Sequence, residues 1–229
     1  MKHEKIAVVI YGFPGSGKGT QANLIANAFG LVNFDTGRML ETLWYDPKRQ
    51  KEALVQRERA LFEEGKLNTP SFVLHEVSNA AKQIAKHGQG VVFSGSPRTM
   101  DEALSLIPLL EKIYGEKNVF FFFLDVEPKD SIWRNSKRFI CTFCRAMLMA
   151  KYYPSKKPTH CPVCAGTLYK RTLDRPDIIP KRIDEYNART APILSFLKKR
   201  GTKVMKLDGK PEPYKIFKKI EKRIADGLK

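Results

Sequence analysis

Gly12-Phe13-Pro14-Gly15-Ser16-Gly17-Lys18-Gly19-Thr20 follows a short apolar run, Lys5 to Tyr11, and leads into a stretch of helical period from about Lys18 to Phe29. Strand, glycine-rich loop and helix is the context in which such a loop cradles phosphate. A polyphosphate packs several negative charges close together. The glycines let backbone N–H groups point into one concavity around its oxygens. The following helix offers its positive N-terminus to the same place, and Lys18 adds a point charge. Gly15, Ser16, Gly17, Lys18, Gly19 and Thr20 are therefore the candidate phosphate ligands. The commonest form of this loop has Ser or Thr directly after the lysine. Here Gly19 intervenes, and Thr20 is the nearest hydroxyl for magnesium or phosphate.

Outward from the loop, strands and helices alternate. The helix after the loop carries Leu24, Ile25 and Ala28 on its expected buried face. Leu31 to Asp35, Val91 to Ser94, Asn118 to Val126 and Thr202 to Leu207 read as further strands, the middle two as the continuous apolar runs of a parallel sheet buried on both faces. Gly37 to Tyr45, Lys51 to Gly65, the stretch from Ser71 to Gly88, Pro128 to Arg138 and Tyr214 to Ala225 read as helices. So does Ile183 to Leu197, with a kink at Pro192. The pattern predicts an α/β fold with a parallel sheet. Residues 36–67, all helix, and 139–173, without clean period, interrupt the alternation.

With 229 residues the chain is long enough for one sizeable core with small insertions. Its hydrophobic fraction of 42% and charged fraction of 28% are ordinary for a globular protein. No segment approaches the roughly 18 apolar residues of a membrane helix. The apolar stretch Ile6 to Ile10 is too short for a signal peptide, so a cytoplasmic protein is expected. A net charge of +17 calls for anionic partners, nucleotide phosphates or nucleic acid. The basic tail, Lys215, Lys218, Lys219, Lys222 and Arg223, reads as a solvated helix face.

All four cysteines fall in one window, Cys141-x2-Cys144 and Cys161-x2-Cys164, with sixteen residues between the pairs. Two such knuckles supply four tetrahedral thiolates to zinc. His160 lies outside the frame and reads as a bystander. Iron–sulfur ligation and an RNA-binding zinc ribbon, served by Lys151, Lys156, Lys157 and Lys170, are the other readings of this segment.

These motifs, in this order, resemble the adenylate kinase family. The loop with Pro14 and Gly-Lys-Gly-Thr looks like that family's form. Asp35-Thr-Gly-Arg-Met-Leu40 is similar to the segment opening its monophosphate-binding domain, and Glu64-Gly-Lys-Leu67 to the turn leaving it. Gly95-Ser-Pro-Arg-Thr99 is similar to the family's Gly-Phe-Pro-Arg-Thr. The paired C-x-x-C lid follows, then Arg171 and Arg182 at the spacing of two phosphate-clamping arginines. Asp208-Gly209 resembles the turn that brackets adenine. The matches run from about residue 6 to about residue 215.

The resemblance implies a P-loop core of five parallel strands flanked by helices over 1–35, 68–138 and 174–229. It also implies a helical NMP-binding insertion over 36–67 and a zinc-binding lid over 139–173. It implies transfer of the ATP γ-phosphoryl to AMP by a monomer, with structural zinc in the lid, magnesium accompanying ATP, and no membrane or nucleic-acid partner. Phosphoryl transfer needs positioning and charge neutralisation more than covalent chemistry, and arginine meets phosphate oxygens bidentately. By resemblance, Lys18, Arg98, Arg138, Arg171 and Arg182 serve the transfer. Arg134 and Lys210 join the loop and Arg138 at ATP. Thr36, Gly37, Arg38, Gly95, Arg98, Glu102, Arg171 and Arg182 hold the monophosphate.

Four positions depart from the family. Ser94 stands where an aspartate usually serves the magnesium waters. Glu41 stands where an arginine is expected and Arg38 where an acid is common, so Arg38 is expected to take over the phosphate contact. The expected Asp-Asp pair after Arg171 is reduced to Leu173-Asp174. Glu102 replaces the glutamine that reads adenine. A carboxylate only accepts, so it suits the two donors of guanine and leaves GMP as an alternative acceptor to AMP. The departures together also fit a catalytically weak nucleotide- or RNA-binding protein.

Overall fold

The computed structural model describes residues 4–150 and 157–228. Strand β1 (Ala7–Gly12) is buried along its length and lies at the centre of a parallel sheet. The order is β2 (Val32–Phe34), β3 (Val91–Phe93), β1, β4 (Val119–Asp125), β8 (Val204–Asp208). Val9 stands opposite Phe93 on one side and Phe121 on the other. Side chains alternate across the sheet. Ala7, Val9 and Tyr11 therefore join one core, and Ile6, Val8 and Ile10 the other. The first core is covered by α4 (Pro70–Lys86), α5 (Met100–Tyr114) and α8 (Ala191–Lys199), the second by α1 (Lys18–Phe29) and α9 (Pro213–Gly227). Both faces being covered explains why β1 and β4 read as unbroken apolar runs.

Several expectations are corrected. The buried face of α1 is Gln21, Ala22, Ile25 and Ala26. Leu24 is half-buried and Ala28 exposed, because the helix packs one residue further round than apolarity alone suggests. Helix α5 is absent from the predicted elements; Pro108 inside it masks its period. The helix expected from Ile183 starts earlier, as α7 (Ile179–Glu185), and passes through a π-helical turn, Tyr186–Thr190, into α8. Pro192 comes just after that π-helical turn, so the irregularity expected at the proline takes the form of a π-bulge just before it.

Between β2 and α4 the chain forms two helices, α2 (Thr36–Trp44) and α3 (Ala53–Glu63). Trp44 packs against Phe62 and Phe72, with ring centroids 5.9 and 6.3 Å away. The buried carboxylate of Glu58 on α3 accepts from the Thr69 amide at 2.8 Å and its hydroxyl at 2.5 Å, and from Asn68 at 3.2 Å. The cysteine segment is an antiparallel sheet: β5 (Arg138–Cys141) lies between β6 (Met147–Met149) and β7 (Leu168–Tyr169). Strands this short show no alternation to read. Lys151 and Lys156 lie outside the described residues. No helix among the described residues is long and apolar enough to cross a membrane.

Candidate functional site

The carboxyl ends of parallel strands, where ligands bind in open α/β sheets, converge on one cleft. β1 ends in the glycine loop, β3 leads to Ser94, Gly95 and Arg98, and Asp208-Gly209 closes β8. Helix α6 (Pro128–Lys137) braces the loop from outside. Asn135 donates to the Pro14 carbonyl at 2.9 Å, and the Ser131 hydroxyl donates to the same oxygen. Gly15 has a left-handed φ of 82°, and a Cβ there would lie 2.5 Å from Asn135 Nδ2. At Gly19 the terminal methyl of Met147 of β6 rests where a Cβ would stand, a contact that the flexible methionine side chain could relieve.

Lys18 folds back over the loop, its Nζ donating to the Gly12 and Phe13 carbonyls at 2.7 and 2.8 Å. Arg98, after β3, donates from Nε to the Gly95 carbonyl at 2.7 Å and is held by the Thr190 hydroxyl, which donates to its carbonyl at 2.7 Å. Arg138, at the start of β5, forks onto Asp174, and Arg182 of α7 reaches the Leu173 carbonyl at 3.1 Å. Arg171 donates to Glu41 at 2.6 Å. Arg134 donates to the Gly209 carbonyl at 2.9 Å, which places its guanidinium between the loop and the β8 turn.

The charges crowd one another. Burial, then Arg98, Arg182 and Arg138, hold the Lys18 pKa well below its ordinary value. Burial lowers Arg98. Burial and the neighbouring Arg171 and Arg138 lower Arg182 to about 9. The shifts record positive charges that burial and their cationic neighbours disfavour, the condition of a site built for a polyanion. The buried hydroxyls of Tyr11, Ser16 and Tyr186 have no hydrogen-bond partner among the described residues. Tyr11 and Tyr186 line the cleft, and the Tyr186 ring lies 4.6 Å from that of Phe13. Unpaired buried hydroxyls in a cleft are groups left for a ligand.

The expected residues do not all face the cleft. Lys18, Gly37, Gly95, Arg98, Arg171 and Arg182 line it. Buried Thr36 donates to the Ser96 hydroxyl at 2.9 Å, at its edge. Arg38 is exposed; its amide donates to Asp35 at 3.2 Å and its carbonyl accepts from the Thr42 hydroxyl at 3.0 Å, while Glu41 takes the arginines. Lys210 is exposed and pairs with Glu127. Ser94 lies in the cleft at the end of β3. Glu102 is buried at the start of α5: its carboxylate accepts from the Arg98 amide at 2.9 Å and the Thr99 hydroxyl at 3.3 Å, and Thr99 caps the helix. Each oxygen thus accepts one hydrogen bond from the turn that opens α5, a role close to that of a helix cap. Asp174 was marked in the sequence only as what remains of the family's Asp-Asp pair, with no partner assigned to it, and Asn135, Tyr11 and Tyr186 went unassigned.

The four cysteine sulfurs lie within 4.8 Å of one another, and no disulfide joins them. Tetrahedral zinc with bonds of about 2.3 Å needs sulfurs about 3.8 Å apart. The amides of Phe143 and Val163 donate to Cys141 and Cys161 at 3.3 and 3.4 Å, as knuckle amides do to bound thiolates. The donor set suits such a metal.

A glycine loop after the central strand of a parallel sheet, facing a cluster of arginines, defines a P-loop nucleotide-binding phosphotransferase. The family model described as adenylate kinase matches residues 10–202. The adenylate kinase of Caldicellulosiruptor saccharolyticus is 32% identical over 85% of this chain and 87% of its own. Those of Chlamydia pneumoniae and Methanococcoides burtonii are each 30% identical, over 94% and 95% of this chain and 96% and 97% of theirs. The chain belongs to the adenylate kinase family, and so to the nucleoside monophosphate kinases.

Proposed function

We propose that this protein transfers the γ-phosphoryl group of ATP to AMP, giving two ADP, in the cleft between the glycine loop and Arg98. The observation that carries the reading is the convergence of Lys18, Arg98, Arg171 and Arg182 on one cleft, with Arg138 close enough to lower the pKa of both Lys18 and Arg182. An AMP phosphate oxygen attacks the γ-phosphorus, the bond to the β,γ-bridging oxygen breaks, and ADP leaves with its electron pair. The loop amides and Lys18 hold the donor's outer phosphates. Arg98 and Arg171 hold the acceptor phosphate. Arg138 and Arg182, positioned by Asp174, flank the group in flight. Magnesium accompanies ATP and screens its phosphate charge; Ser94 and Thr20 are the nearby hydroxyls. Holding donor and acceptor in line is worth several powers of ten in rate.

Residues 36–67 bind AMP in this reading, and residues 139–173 form a lid stiffened by zinc on Cys141, Cys144, Cys161 and Cys164. GMP is the weaker alternative: its case was Glu102, whose carboxylate is engaged by the turn that opens α5. A nucleic-acid role gains no support from the tail, where Lys215 and Lys218 pair with Glu212 and Glu221 and Arg223 lies over Phe120. The reading carries with it a monomer acting on free nucleotides in the cytoplasm. Initial rates with ATP, magnesium and each of AMP, GMP, CMP and UMP test it. AMP should give the highest kcat/KM, and GMP ahead of AMP would overturn the assignment.

A further inference from the structure

Glu41 sits half-buried on α2 and takes cations from two other parts of the chain. Its Oε1 accepts from Arg171 Nη2 at 2.6 Å, and its Oε2 accepts from Arg145 Nη2. The two contacts span 130 and 104 residues of sequence. Arg145 directly follows Cys144, adopts a left-handed φ of 61°, and lies over the Tyr169 ring at 5.7 Å. Arg171 faces the cleft and lies 6.0 Å from the Phe62 ring centroid. The same carboxylate borders a second cavity of about 360 Å³ between α2, the end of α3 and the cysteine segment; it shares Phe62, Arg171 and Leu173 with the cleft.

We infer that Glu41 is a positioning residue that couples closure of the cysteine-bearing segment to the readiness of Arg171, by holding Arg145 and Arg171 on one carboxylate. The inference rests on the phosphotransfer reading above, in which Arg171 holds the acceptor phosphate. Charge gives the coupling its direction. Arg145 and Arg171 both belong to residues 139–173, so with the segment swung away Glu41 loses both partners and its full negative charge opposes an incoming phosphate. With the segment closed, Arg145 neutralises much of that charge. Arg171, which has five N–H donors, then keeps the rest for phosphate. Acceptor seating thus favours the closed arrangement, in which water is excluded from the transfer.

The test combines hydrogen exchange with kinetics on the full-length protein. Glu41→Gln keeps the size of the side chain and removes its charge. It should speed amide exchange at 142–147 about fivefold or more without nucleotide. It should also lower kcat with AMP about tenfold while the KM for ATP moves less than about twofold. Arg145→Met should do the same, Arg145→Lys should restore part of the loss, and the double variant should be no worse than Glu41→Gln. Unchanged exchange at 142–147, or kcat losses that multiply in the double variant, would overturn the inference. If the wild-type protein makes no ADP from ATP and AMP, the phosphotransfer reading fails instead, and the exchange result alone still decides whether Glu41 holds the segment.

Discussion

Asp174 takes the guanidinium of Arg138 on both of its oxygens, at 2.9 and 2.5 Å, and the same Oδ1 lies 3.5 Å from Nη1 of Arg182. One nearly buried carboxylate therefore sets the aim of two arginines. It also supplies the nearest negative charge to a cluster that has little of it. Asp174→Asn keeps the shape and removes the charge. Both arginines lose their fixed orientation, and a misplacement of about 1 Å near the reacting group costs on the order of 100-fold in rate. The expected outcome in steady-state kinetics is a kcat about 100-fold lower, with the KM values for ATP and AMP changed far less. An unchanged kcat would mean that Asp174 only fills space.

Glu58 is the counterpart in the helical insertion. Burial would raise its pKa, but hydrogen bonds from the Thr69 hydroxyl and amide, with Arg57 and Asn68, outweigh burial and lower it. A carboxylate with a folded pKa below its unfolded value contributes stability above the unfolded pKa, about 4.3, and loses it as pH falls through the folded value. Glu58→Gln should thus be less stable than the parent at pH 7 by about 2–3 kcal/mol in urea titrations. The gap should narrow as the pH drops below about 4. A gap independent of pH would refute the charge-based account.

The loop and the cysteines were legible because each is local: a few adjacent residues carry all the chemistry. The sheet was legible because β1 and β4 are buried on both faces and read as apolar runs. What was hidden depends on distance along the chain. Nothing near Asp174 announces that Arg138, 36 residues earlier, forks onto it. Nothing near Glu41 points to Arg145. Glu102 differs, since Thr99-x-x-Glu102 has the spacing of a capping box, although in the fold its carboxylate takes the Arg98 amide in place of that of Thr99. Comparison with the family's glutamine drew the eye to base recognition instead. Helix α5 escaped for a related reason, with Pro108 interrupting an otherwise good period.

That cap yields a prediction of its own. Burial raises the Glu102 pKa, and the Arg98 amide and guanidinium and the Thr99 hydroxyl oppose the rise. If capping is its task, Glu102→Gln should retain the preference for AMP over GMP, with kcat/KM for AMP changed less than about threefold. Glu102→Ala should cost about 1 kcal/mol of stability through the lost cap. A switch in base preference in the glutamine variant would return Glu102 to the role of base reader.

Metal removal separates the cysteine segment from the core. The two hydrophobic cores contain none of the four cysteines. A chelator, or Cys144→Ser, should therefore leave the parallel sheet folded while loosening residues 139–173. Loss of about 3 kcal/mol would lower the melting temperature by roughly 6–12 °C in a chain of this size. Metal analysis of the purified protein should find one zinc per chain. Finding iron, or a melting temperature indifferent to chelation, would contradict the zinc clamp.

The most direct measurement is the fate of the transferred group. ATP labelled at the γ-phosphorus would be mixed with excess enzyme, magnesium and AMP for a single turnover. The account predicts that the label appears in the β-phosphoryl of the ADP formed from AMP, with an equal amount of unlabelled ADP from the donor. Label released as inorganic phosphate, or retained on ATP, would contradict it.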